Sequence, residues 1–301
     1  MAFPRSPRLI LALAAATAAG VAPVAGSALD DSQLKEIRAL HWQKGTVKLS
    51  ESHGTFAVPA PASILTGADA EREDNIINGW SDANCEAVMI AGERRLVMTY
   101  NDSGYVTADD WRNIDAAKKL ADIRRQIDDD NVERVKNGRL ATRVDGWVEP
   151  PVYDAAHTTL RYMYALHHDN GVKWINAVAL VLGRHGYEQF VLATDGKNPE
   201  AERLALARYI DDYTFDHGFR FSDYVQGDKV AGFGLAALVG AGGVAALAKI
   251  GVFTTILLLA KKFILVILAA GAALIGGIRR LFPKPAKFGP PAPPSVPPAA
   301  S

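Results

Sequence analysis

The chain has 301 residues, with 33 basic and 33 acidic side chains and a formal charge of zero. All the carboxylates lie between Leu29 and Asp228 beside only 23 Lys and Arg, so that stretch carries −10 and the two ends carry only positive charge. An acidic domain excludes nucleic acid as a partner, since phosphate contacts need a basic face, and the single cysteine, Cys85, excludes an intrachain disulfide.

In chain order, the first feature is Arg5 and Arg8 ahead of an apolar run from Leu9 to about Val24. This is the layout of a signal peptide. Gly26 and Ala28 occupy the −3 and −1 positions of a cleavage site, so residues 1–28 are expected to be removed and the mature chain to start at Leu29. The alternative for this run is an uncleaved anchor or a buried helix.

Residues 29–228 are long enough for one globular domain with a single core. Strands are expected at Gly45 to Leu49, Thr55 to Val58, Glu86 to Ile90 and Arg94 to Tyr100. A helix is expected at Ala108 to Gln126, with Thr107 as its N-cap. Alternation at Leu160, Tyr162, Tyr164 and Leu166 marks a strand from Thr158 to Leu166, and the apolar runs Gly171 to Leu182 and Tyr187 to Thr194 give two more. The connections His167 to Gly171 and Gly183 to Gly186 are turn sequences. A second helix is expected over Asn198 to Tyr213. Strands cluster instead of alternating with helices, which predicts an α+β fold: an antiparallel sheet with segregated helices, followed by a C-terminal hydrophobic helical anchor.

The anchor region, 229–282, has no carboxylate and is dominated by Ala, Gly, Leu, Ile and Val. Val230 to Ala248 and Phe263 to Phe282 each approach the length of a membrane span. Two crossings would put Arg279, Arg280, Lys284 and Lys287 outside with the acidic domain, so the preference for basic residues in the cytoplasm favours one crossing near Phe263 to Phe282. Gly232, Ala236 and Gly240 share one row if their segment is helical, a pattern suited to close packing against a second copy or a protein partner. Residues 283–301 are too rich in Pro and Ala to build a core and are expected to be disordered. Membrane lipid is therefore an expected partner, and the expected location is the bacterial inner membrane with the domain facing the periplasm or cell exterior.

Several short motifs stand in a definite order: GYV at Gly104 to Val106, Gly146-Trp147, PVYDAAH from Pro151 to His157, Asn176, LGRHG from Leu182 to Gly186, and GDKVAGFGLAALV from Gly227 to Val239. Together they resemble a family of membrane-anchored bacterial proteins catalogued as domain of unknown function 2167, over roughly Leu34 to Leu281. The resemblance implies export and anchoring and brings no activity with it.

Chemically, Asp154 beside His157 is half of a general acid/base device, and Arg184 approaches it if the strands fold back. These residues and Asn176 form the candidate ligand-binding or structural polar cluster. No nucleophile motif and no paired cysteines complete it, so no catalytic residue, cofactor or metal is expected. The favoured reading is a binding or interaction module at the cell envelope; the rival is a hydrolase-like enzyme built on Asp154, His157 and Arg184. Asp128-Asp129-Asp130-Asn131 lacks the glycine and distal glutamate of a calcium loop and reads as a solvated turn at a helix end. His167 and His168, adjacent in an extended segment, point to opposite faces and suit a solvated turn better than a metal. The five tryptophans are scattered in a manner that fits core packing.

Overall fold

The computed structural model describes residues 29–78 and 84–240. The expected signal segment, the hydrophobic stretch beyond Gly240 and the Pro/Ala tail lie outside the described residues. Among those described, no helix is long and apolar enough to cross a membrane.

The elements in order are α1 (Asp31–Ala39), β1 (Gly45–Leu49), β2 (Gly54–Val58), β3 (Ser63–Thr66), α2 (Ala68–Asn78), β4 (Cys85–Ala91), β5 (Arg94–Asn101), α3 (Ala116–Lys136), β6 (Thr142–Asp154), β7 (Thr159–His168), β8 (Lys173–Leu182), β9 (Tyr187–Thr194), α4 (Pro199–Asp211), β10 (Tyr213–Phe215) and a single turn, α5 (Leu235–Leu238). Seven strands form one antiparallel sheet in the order β3-β4-β5-β9-β8-β7-β6, and β1, β2 and β10 form a second in the order β1-β2-β10. The α+β class with an antiparallel sheet follows.

Both faces of the large sheet carry packed elements. On one, Met98, Phe190, Leu192, Ala177 and Ala179 pack against Val47, Leu49 and Phe56 of the small sheet and Leu206 and Tyr209 of α4. On the other, Leu160, Tyr162, Val178, Leu180 and Leu182 meet Ile123 of α3 and Leu235, Leu238 and Val239 near α5. This double burial explains why β8 and β9 read as almost continuous apolar runs. The turn between them is closely packed: a Cβ on Gly186 would lie 1.8 Å from the carbonyl oxygen of Asn101 at the end of β5.

Several expectations need correction. The helix placed at Ala108 to Gln126 begins instead at Ala116, because Asp115 rather than Thr107 accepts the capping bond, from the amide of Lys118. The Thr107 carbonyl accepts from Leu235 N at 3.0 Å, so that loop serves the α5 segment. Second, Asp128 to Asn131 is no turn: α3 runs through it, and the buried Asn131 exchanges two 2.8 Å hydrogen bonds with the backbone of Thr142, fixing the helix to β6. Third, Gly232, Ala236 and Gly240 do not form a helical row. Gly232 lies in a bend, only Leu235–Leu238 is helical, and Gly240 has a φ of +82°. Val230 instead bridges Tyr105, and Leu235, Leu238 and Val239 are buried in the second core. The packed domain thus continues past Asp228 to Gly240. His167 and His168 end β7 on opposite faces as expected, but within the strand: His167 pairs with Asp145 at 2.7 Å, and His168 is buried against Trp174.

Candidate functional site

Asp154 closes β6 and organises the β6–β7 hairpin. Its Oδ1 accepts the amides of Ala156 (3.0 Å) and His157 (3.3 Å), and its Oδ2 lies 2.8 Å from His157 Nδ1. The hydrogen bond from His157 holds the Asp154 carboxyl below its usual range. The His157 side chain is 64% exposed. Solvent screening makes such a pair weak, so His157→Ala is expected to change the unfolding free energy by no more than about 0.5 kcal/mol, in the destabilising direction. Urea titration checks this, and a loss of several kcal/mol would mean that the pair supports more than its own turn.

Arg184 lies in the β8–β9 turn at the same end of the sheet, but its guanidinium is engaged elsewhere. Nε and Nη2 donate to the two carboxylate oxygens of Asp228 at 2.7 and 2.9 Å, and Nη1 donates to the Gly218 carbonyl at 3.2 Å. This bidentate contact pulls the Asp228 carboxyl down to about 2. It ties the β8–β9 turn to the chain just before α5. Asn176 is remote from both: it sits in the middle of β8 and donates to Tyr164 Oη at 3.3 Å. The four residues are therefore divided among three places, and no hydrogen bond joins the Asp154–His157 pair to Arg184 or Asn176 among the described residues. No group of three or more His, Cys, Asp or Glu side chains among them is placed to hold a metal ion.

Asn176 leads to the feature that sequence reading missed. α3 packs chiefly along the edge strand β6, to which Asn131, Arg124 and Trp147 bind it. The centre of the sheet beneath it is left partly uncovered, and a cavity of about 310 Å³ lies there. Strand register orders its floor. Arg95, Ala193, Asn176 and Tyr164 stand side by side on β5, β9, β8 and β7; Val97, Val191 and Val178 form the next row; and Thr99 and Gln189 stand opposite each other in the third. Ile123 and Ile127 of α3, with Gln126, Asp130 and Arg134 of the same helix, form the roof.

The polar groups of this floor are incompletely satisfied. Asn176 Oδ1 is buried without a partner. Thr99 and Gln189 are 6% and 7% exposed, and their side chains make no hydrogen bond among the described residues. Arg95, 2% exposed, lines the cavity and donates from Nε and Nη2 to Glu73 and from Nη2 to Asp74, with no hydrogen bond from Nη1 among the described residues. Burial opposes the charge on Arg95, yet Glu73 and Asp74 hold the guanidinium protonated. Burial likewise raises Glu73, against the pull of Arg95. A sequence signal existed: Arg95, Thr99 and Gln189 alternate with apolar residues in segments that read as strands, and polar residues buried in this way usually carry a partner.

A second buried polar group lies on the opposite face. Glu86, in the bulge of β4, accepts the amides of Glu51 (2.5 Å) and Ser52 (2.9 Å) from the β1–β2 hairpin. Beside it Glu188 of β9 is fully buried, and burial, reinforced by the charge of Glu86, raises its carboxyl well above the ordinary value.

No curated protein matches the chain. Among solved structures, cyanobacterial PsbP (CyanoP) from Synechocystis sp. PCC 6803 is similar over 58% of this chain and 92% of its own, at 10% identity and a TM-score of 0.38. That likeness bears on neither ligand nor partner. The family model described as Protein of unknown function (DUF2167) matches residues 41–272, and the chain belongs to that family.

Proposed function

We propose that residues 29–240 form an extracytoplasmic binding module held at the bacterial inner membrane by the hydrophobic stretch within 229–282. The observation that carries the binding role is the cavity beneath α3, a cleft whose floor holds buried polar side chains without hydrogen-bond partners among the described residues. A domain stabilised only by its core would gain from apolar residues at those positions, because an unsatisfied buried polar group costs about 1–3 kcal/mol. Export and anchoring rest on the signal layout, the −10 charge of residues 29–228 and the basic ends. Asp154, His157 and Arg184 act in this reading as structural ties around the domain's loops, with Asn176 as the member of the group that faces ligand.

Two measurements on the intact protein extracted from membranes test the proposal. N-terminal sequencing should begin near Leu29, and native mass spectrometry should show a non-covalent adduct of small mass that is lost on unfolding. An N-terminus retaining residues 1–28 would overturn the export reading. A protein extracted free of any adduct and any partner would overturn the binding role.

A further inference from the structure

Resting on that binding role, we propose that the cavity beneath α3 takes a small uncharged ligand with an apolar body and hydrogen-bonding groups at both ends. The pattern of the floor carries the argument. Residues on one face of a strand recur about 6.6 Å apart, so the Arg95–Asn176 row and the Thr99–Gln189 row stand about 13 Å apart along the strands, with the three valines between them. The middle is apolar both below, at Val97, Val191 and Val178, and above, at Ile123 and Ile127. The rows on either side of the valines are polar, Leu166 and Trp174 continue the floor beyond the first of them, and Ala193, the small residue in that first row, leaves room beside Arg95 and Asn176.

Charge decides the rest. The guanidinium of Arg95 is already matched by Glu73 at 2.6 Å and Asp74 at 2.7 Å, and the other two charged side chains of the lining, Arg134 and Asp130 of α3, are of opposite sign, so no excess charge of either sign is left for an ion to answer. Taking an ion out of water costs several kcal/mol unless a partner answers it. The open valences suit a neutral molecule: Arg95 Nη1 donates, Asn176 Oδ1 accepts, and the Thr99 hydroxyl and Gln189 amide do both. A volume of about 310 Å³ sits at the lower end of ligand pockets, which limits the occupant to one small molecule.

The test is isothermal titration of the detergent-solubilised full chain with three probes of similar size. These are 2,6-dihydroxynaphthalene, neutral with polar ends; 2,6-naphthalenedicarboxylate, the same body with charged ends; and N-acetylglucosamine, neutral but polar all round. The diol should bind at least tenfold more tightly than the other two. Gln189→Leu should weaken it at least tenfold, and Ala193→Leu, which fills the first row, should abolish it, with the midpoint of thermal unfolding of Gln189→Leu no lower than that of the parent. Gln189→Leu is nearly isosteric and keeps the test open if Ala193→Leu fails to fold. Preference for the dicarboxylate or the sugar, binding unaffected by the variants, or no binding at all with a rise in stability for Gln189→Leu would overturn the proposal, the last result marking a cavity that holds only water. A cellular adduct seen by native mass spectrometry alongside any of these results would leave the binding role standing and remove only this ligand class.

Discussion

Replacing Arg95 by methionine is expected to lower the unfolding free energy by about 3–5 kcal/mol and the thermal midpoint by on the order of 10 °C. The side chains of Arg95, Glu73 and Asp74 are 3%, 0% and 5% exposed, so the guanidinium is what makes two interior carboxylates tolerable. Methionine keeps most of the volume and removes the charge, leaving Glu73 and Asp74 buried on one helix with no cation to answer them. The contribution measured this way is the cost of stranding the acids, since an ion triad replaced whole by apolar residues is often neutral or stabilising. The combined change Glu73→Leu, Asp74→Leu and Arg95→Met should therefore recover much of what Arg95→Met loses. Urea unfolding of both variants decides it, and a loss below 1 kcal/mol for Arg95→Met would show that water reaches the triad.

The parts of the fold that sequence periodicity located are those whose burial is simple. β1 and β9 lie where expected because turn residues bracket an apolar run, and β8 because a strand covered on both faces has no polar interruption except Asn176. What escaped notice has a physical reason in each case. β6 is an edge strand with three register shifts and the pair Pro150-Pro151, features that an edge tolerates and that look like a loop in one dimension. α2 carries Glu71, Glu73 and Asp74 among its eleven residues and so looks solvated, although Glu73 and Asp74 are buried on Arg95, a partner 21 and 22 residues away. Long-range pairing of this kind leaves no local trace.

The candidate site divides in the same way. Asp154 and His157 are three residues apart, and their hydrogen bond was legible from that spacing. Arg184 joins Asp228, 44 residues on, so its partner was not legible. The cavity was least visible of all, because it depends on α3 lying along β6 and exposing the centre of the sheet. Of its polar lining, the sequence singles out Asn176, and Asp130 reads only as part of a solvated turn. Arg95, Thr99 and Gln189 become a group only when β5 and β9 are paired in register.

Glu188→Gln is expected to stabilise the protein, and by more as the pH rises. Glu188 faces the small sheet from the centre of the large one, with both carboxyl oxygens buried and unpaired in the ionised form, and Glu86 beside it keeps Oε2 unpaired as well. A proton on Glu188 would supply the donor that both carboxyls lack, in line with the upward shift of Glu188 that burial and Glu86 cause. The sign follows from proton uptake. Above the ordinary value of 4.5, the unfolded chain releases the Glu188 proton while the folded chain keeps it. The folded state then binds more protons, and its stability falls with pH by up to about 1.4 kcal/mol per unit until the folded carboxyl itself ionises. Glutamine carries its own donor toward Glu86 and needs no proton, so the gain at pH 7 should approach about 3 kcal/mol if Glu188 is still neutral there. Urea unfolding of parent and variant at pH 5, 6, 7 and 8 reads the difference directly, because carboxylates common to both cancel. The two should nearly coincide at pH 5 and separate steadily above it; a constant separation across the series would mean that Glu188 titrates as an ordinary carboxyl and shares no proton with Glu86.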